Sequence, residues 1–172
     1  MKLNLLDDAI IQLLDDQGSV VFSFELKTLD EYWYGESEEH EYLHVTLGGA
    51  SNEYVIIIMT TASGQGGIVA VVDIASGEVV HYHDGAFAIF AEIYKDYVIT
   101  IYGVQQWGVK YYKCVDAVKF GTKEIIEAER QIRIDDNIGD DFTYTISNNA
   151  IQLKDRSSGQ TSVIEIADLI DG

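Results

Sequence analysis

The chain has 172 residues, with 29 acids against 11 Lys and Arg and a formal charge of −18 at pH 7. Such a charge repels nucleic acid and anionic membranes and attracts basic partners over distance, while 47 % apolar and 11 % aromatic residues exclude disorder. The length suits one domain, residues 1–172, and a lone Cys114, no signal-like start and no run of ~18 apolar residues point to a cytoplasmic protein without disulfides.

Taken in chain order, period-2 alternation and β-branched or aromatic runs predict strands over residues 10–14, 20–26, 41–47, 53–60 and 68–72. Further strands follow over 78–83, 86–94, 97–102, 109–115, 124–134, 142–146, 150–153 and 161–166. Two segments also suit a helix. Leu5, Leu6, Ala9, Ile10, Leu13 and Leu14 recur at helical spacing, whereas in 124–134 the shared parity of Ile126, Ala128, Ile132 and Ile134 favours a strand. The expected class is therefore all-β, an antiparallel meander of about a dozen short strands with at most one or two short helices. The chain has no proline, so glycine must supply its turns and no Pro guards a sheet edge. Residues 53–60 are the expected exposed edge, open to pairing with a second copy.

A repeat runs through this pattern. Asp7–Asp15 resembles Asn148–Asp155, and each leads through a glycine (Gly18, Gly159) into an alternating strand. The central stretch from Ile68 through Asp73 and Gly77 to Val80 has the same grammar, and Asp116 with Gly121 gives a looser copy. An Asp side chain that bonds turn amides, followed by a Gly free to take positive φ, makes a sound hairpin turn. The Ile68–Val80 hairpin resembles the outer strands of quinoprotein-type β-propeller blades. The spacings of 59, 44 and 38 residues between the four glycines lie near the 40–50 of a blade. The chain lacks the blade-closing Trp pattern and the Gly-His…Trp-Asp of WD40 repeats. The resemblance implies a small or partial propeller-like fold and no chemistry; a β-sandwich of the same hairpins is the alternative.

Candidate sites are few. Tyr32, Trp33 and Tyr34 precede Glu36, Glu38, Glu39 and Glu41, and residues 30–41 hold six acids and no base. Aromatic anchors beside carboxylates suit recognition of a cationic protein surface, against the plainer reading of a loop folded back on the core. Trp107, at a Gln-Gln-Trp-Gly hairpin tip, is a second candidate contact. His40/His44 and His81/His83 are spaced so that each pair shares a strand face, which would permit a metal site, but surface imidazoles are the expectation. Cys114 reads as a buried small hydrophobe. Gly64-Gln65-Gly66-Gly67 lacks the Lys and helix of a P-loop, and no serine has a partnered His and acid at recognisable spacing.

No catalytic residue, cofactor or metal is therefore expected. The leading reading is an acidic binding protein that caps a basic partner such as a nuclease toxin. In character alone (small, acidic, without catalytic motifs) it resembles bacterial toxin-immunity proteins. The alternative is a propeller-like ligand-binding or scaffold domain without catalysis. Nucleic acid and membrane are not expected partners.

Overall fold

The computed structural model describes residues 2–6, 10–31, 42–51, 53–61, 66–104, 112–126, 128 and 130–170. Its strands are β1 (Lys2–Leu6), β2 (Ile10–Leu14), β3 (Val20–Glu25), β4 (Tyr42–Ala50), β5 (Tyr54–Thr61), β6 (Gly67–Asp73) and β7 (Val79–Asp84). They continue with β8 (Ala88–Tyr94), β9 (Tyr97–Val104), β10 (Tyr112–Lys119), β11 (Gln131–Arg133), β12 (Phe142–Ser147), β13 (Ala150–Asp155) and β14 (Thr161–Glu165). A 3₁₀ helix covers Leu26–Glu31 and a single helical turn, α1, covers Ala167–Ile170. The protein is all-β, as its alternation predicts.

The strands form four antiparallel meanders in chain order: β1-β2-β3, β4-β5-β6-β7, β8-β9-β10-β11 and β12-β13-β14. Three apolar cores lie between successive sheets. Ile11, Leu13, Phe22 and Phe24 of the first sheet meet Val55, Ile57, Met59 and Ala70 of the second. The opposite face of the second sheet, with Ile56, Ile58, Val69 and Val71, meets Ala91, Val98, Tyr102 and Cys114 of the third. The other face of the third sheet, with Ile99, Ile101 and Val115, meets Ile151, Leu153 and Ile164 of the fourth. This order explains two sequence styles. The middle sheets are covered on both faces, so β5 and β6 read as unbroken apolar runs, while β3 and β13 bury every second residue.

The repeated turns form as their chemistry requires. Asp73 Oδ1 accepts from the Ser76 amide at 2.7 Å, and the Gly77 amide donates to the Asp73 carbonyl at 2.8 Å with φ +73 at Gly77. Asp155 and Gly159 repeat the arrangement, and at Asp15 the carboxylate takes the Gln17 and Ser19 amides. Each of these turns joins the last two strands of its sheet.

Several expectations fail. The fourth copy is not built on Asp116, which lies 1 % exposed inside β10; its turn instead runs from Lys119 to Thr122, with Gly121 at φ +91. Residues 53–60 are no edge, because β5 is held between β4 and β6. Of the described residues of 124–134, Gln131–Arg133 form the ladder with β10, and the Ile134 amide donates to the Lys113 carbonyl at 2.8 Å. The preceding stretch lies beside β7, with the Tyr82 amide donating to the Thr122 carbonyl at 2.8 Å and the Asp84 amide to Ile126 at 3.2 Å. No helix among the described residues is long and apolar enough to cross a membrane.

Candidate functional site

Tyr32, Trp33, Tyr34, Glu36, Glu38, Glu39, Glu41 and Trp107, with His40, lie outside the described residues, but β4, β9 and β10, which adjoin their segments, do not. β4 and β8 approach closely: a Cβ placed on Gly48 would sit 2.7 Å from the Ala91 carbonyl oxygen. Further along, Gly49, Ser51 and Glu53 share a cleft of about 340 Å³ with Glu92, Ile93 and Lys95, so the two strands run in the same sense. Their first residues, Tyr42 and Ala88, are therefore at one end of the stack. Antiparallel pairing of β9 with β8 and of β10 with β9 puts Val104 and Tyr112 there too. Segments 32–41 and 105–111 thus rejoin the described fold at the same end.

That end also carries the loop with the four acids Asp135, Asp136, Asp140 and Asp141. Lys113, only 7 % exposed, donates to the Ile138 carbonyl at 3.1 Å and pairs with Asp140 at 2.9 Å. Arg133 pairs with Asp136 at 2.8 Å and stacks over the Tyr112 ring, and Arg156 pairs with Asp141 at 3.3 Å. Asp155 reaches across from its own turn to take the Gly139 amide at 2.7 Å. Hydrogen bonds from Ser157, Ser158 and Gly139 hold its carboxyl well below the usual carboxylate range. Three of the loop's four acids therefore face the chain's own bases. The exposed Arg133 and Arg156 pairs contribute little energy each, so their main effect is to fix the loop's position around buried Lys113.

His81 and His83 are not surface imidazoles. Both are fully buried, because their β7 positions pair with Val71 and Val69 on the face that meets the third sheet. His81 Nε2 lies 2.8 Å from His83 Nδ1, and His83 Nε2 lies 3.1 Å from Thr100 Oγ1 of β9. The His81 ring stacks on Phe120, while its Nδ1 has no hydrogen-bond partner. A buried N–H without an acceptor is rarer than a buried acceptor without a donor, so the donors run from His81 Nε2–H to His83 Nδ1 and from His83 Nε2–H to Thr100 Oγ1. Burial pushes the two rings down to about 4 for His81 and about 3 for His83, the latter lowered also by its neighbour's charge. Both are neutral at pH 7.

Beside them Tyr102 donates to the Asp84 carbonyl at 3.3 Å, its phenol raised by burial and then by the Asp116 carboxylate. Burial, with the same carboxylate, pushes the Cys114 thiol up to about 12, so it stays protonated and unreactive. Cys114 is the buried small hydrophobe that its sequence context predicts. Only strand pairing, invisible to local pattern, identifies this polar layer.

No protein-family model matches the chain, and no curated protein matches it significantly.

Proposed function

We propose that this protein is an acidic binding protein that neutralises a basic partner, such as a nuclease toxin domain, by capping its active site. The observation that carries the reading is the formal charge of −18, with six acids and three aromatic residues between Asp30 and Glu41. Nuclease sites are positive because they hold phosphate, so a clustered acidic surface meets them quickly and in a set orientation. Support comes from the fold: Tyr42, Val104 and Tyr112, which adjoin 32–41 and 105–111, lie with the Asp135–Asp141 loop at one end of a scaffold whose four sheets are locked by three apolar cores. The four meanders with their recurring glycine turns also support the propeller-like reading of the repeats.

The test is kinetic. A basic nuclease captured on the immobilised protein at low salt should lose its hydrolysis of DNA when the protein is added back. Raising salt from ~0.05 M to ~0.5 M shortens the Debye length from roughly 14 Å to about 4 Å, and the on-rate should fall severalfold while the off-rate changes less. Trp33→Ala should weaken binding by about 2 kcal/mol or more at an unchanged melting temperature, as loss of an aromatic anchor does. Replacing Glu38, Glu39 and Glu41 with Gln should act mainly on the on-rate. A salt-independent on-rate would assign the charge to solubility and end the capping model.

A further inference from the structure

The four sheets treat their last strands differently. The outer edge of β7 is covered by residues 122–126 through the backbone bonds to Tyr82 and Asp84. β11 is cut to three residues. β14 carries Glu165 and runs directly into α1. β3 also ends in a charge, Glu25, and runs directly into the 3₁₀ helix, but it is six residues long, closes the first sheet and, among the described residues, pairs only with β2. Charges, prolines, coverage and shortness are what keep edges from pairing with other chains. From Gln17 to Phe24 the sequence has no charge at all, in a chain with 29 acids.

The side chains point the same way. The register of β2 with β3 shifts between Leu13 and Leu14, so that Leu14 is paired with Val20 while Leu13 is paired with Phe22. Leu14 faces away from the core side that Leu13 fills. The extra residue leaves both Val20 and Val21 on the outer face, 51 % and 50 % exposed. They are two of the six large apolar residues that the described surface exposes.

We propose that β3 is a self-association edge, pairing antiparallel with β3 of a second copy to make one continuous six-stranded sheet. A second copy fits better than a charged strand because, short of Glu25 at its end, the edge offers backbone groups and valines and no charge to pair with. In a register centred near Phe22, Glu25 lies opposite Ser19 of the other copy, so no like charges face each other across the seam. Val21 sits beside Ser23 of the other copy and diagonally from its Val21. One short strand pair buries well under the ~1,200 Å² of a standard stable interface, and two copies repel through their net charge. The dimer is therefore weak, concentration-dependent and strengthened by salt, the reverse of the salt response expected for capture of a basic partner.

Sedimentation velocity from about 10 μM to about 1 mM, at ~0.05 M and ~0.5 M salt, tests this without any partner. Wild type should move toward dimer with concentration, more so at high salt. Val21→Lys should weaken association at least tenfold, as should Ser23→Lys, a second exposed position that guards against a folding artefact. Val163→Lys, on the outer face of the fourth sheet, should leave it unchanged. Wild type that stays monomeric at every concentration and salt overturns the proposal. So does a dimer that survives Val21→Lys and Ser23→Lys in folded protein, or one lost only in Val163→Lys. None of these results bears on the capping model, whose own signature is an on-rate that falls with salt.

Discussion

Lowering the pH from 7.5 to 5 is expected to cost the fold about 4 kcal/mol through His81 and His83 alone. In the unfolded chain both rings titrate near 6.5, whereas burial takes them to about 4 and about 3 in the folded protein. The unfolded state therefore binds more protons between these values. The contribution is present in full above pH ~6.5 and is lost as pH falls toward the folded values. Between pH 6 and 5 the slope should approach about 2.7 kcal/mol per pH unit, the value for two protons. The melting temperature should drop by roughly 8–16 °C, since 1 kcal/mol moves a domain of this size by about 2–4 °C.

Acids without stabilising hydrogen bonds act in the opposite sense, because neutralising them relieves self-repulsion, whereas protonating Asp155, held low by its hydrogen bonds, costs stability only well below this range. The carboxylates titrate mostly below pH ~5, outside this window. His81→Phe keeps the stack on Phe120 and removes one titrating ring, so the slope should halve. Urea unfolding at a series of pH values measures it; a wild-type slope below one proton between pH 6 and 5 would contradict burial of both rings as neutral groups.

How legible this was in the sequence depends on which neighbours decide each residue. Alternation, or an unbroken β-branched run in β5 and β6, locates β2 to β10 and β12 to β14 because a strand's faces are written in its own residues. Asp15, Asp73 and Asp155 could be assigned to turns because their partners lie within four residues. Asp116 shows the limit: Asp followed by Gly looked like a turn, but the turn began only at Lys119 and left Asp116 facing Tyr102 in the interior. Residues 124–130 have strand parity, yet the ladder with β10 covers only Gln131–Arg133, while the stretch through Ile126 bonds to Tyr82 and Asp84 of β7 instead. His81 and His83 alternate with half-exposed Tyr82 and Asp84 as surface residues do. Their burial follows from pairing with β6, whose five central residues are all apolar and covered on both faces. β1 was missed because Leu5 and Leu6 also fitted a helical stripe that continued into β2. The candidate contacts Tyr32 to Glu41 and Trp107 remain sequence readings.

Gly85→Ala should be among the most damaging single substitutions in the chain, at about 3 kcal/mol or more. Gly85 lies where β7 passes to β8 at the candidate binding end. Its amide donates to the Gly67 carbonyl at 3.0 Å. A Cβ there would stand 2.5 Å from the Ile68 carbonyl carbon and 2.7 Å from the Val69 nitrogen, both backbone atoms of a strand buried on each face. Neither can move without opening the β6–β7 pairing, and a Cβ on Gly67 would in turn lie 2.6 Å from the Gly85 oxygen. Gly77 is the contrasting case. Nothing lies within 4 Å of its Cβ position, and only its φ of +73 demands glycine. Gly77→Ala should therefore cost about 1 kcal/mol, the ordinary penalty for a left-handed non-glycine residue. Thermal unfolding should place Gly85→Ala roughly 6–12 °C below wild type and Gly77→Ala about 2–4 °C below. Equal losses for the two would show that the Gly67–Gly85 crossing can relax, removing the reason for glycine at both positions.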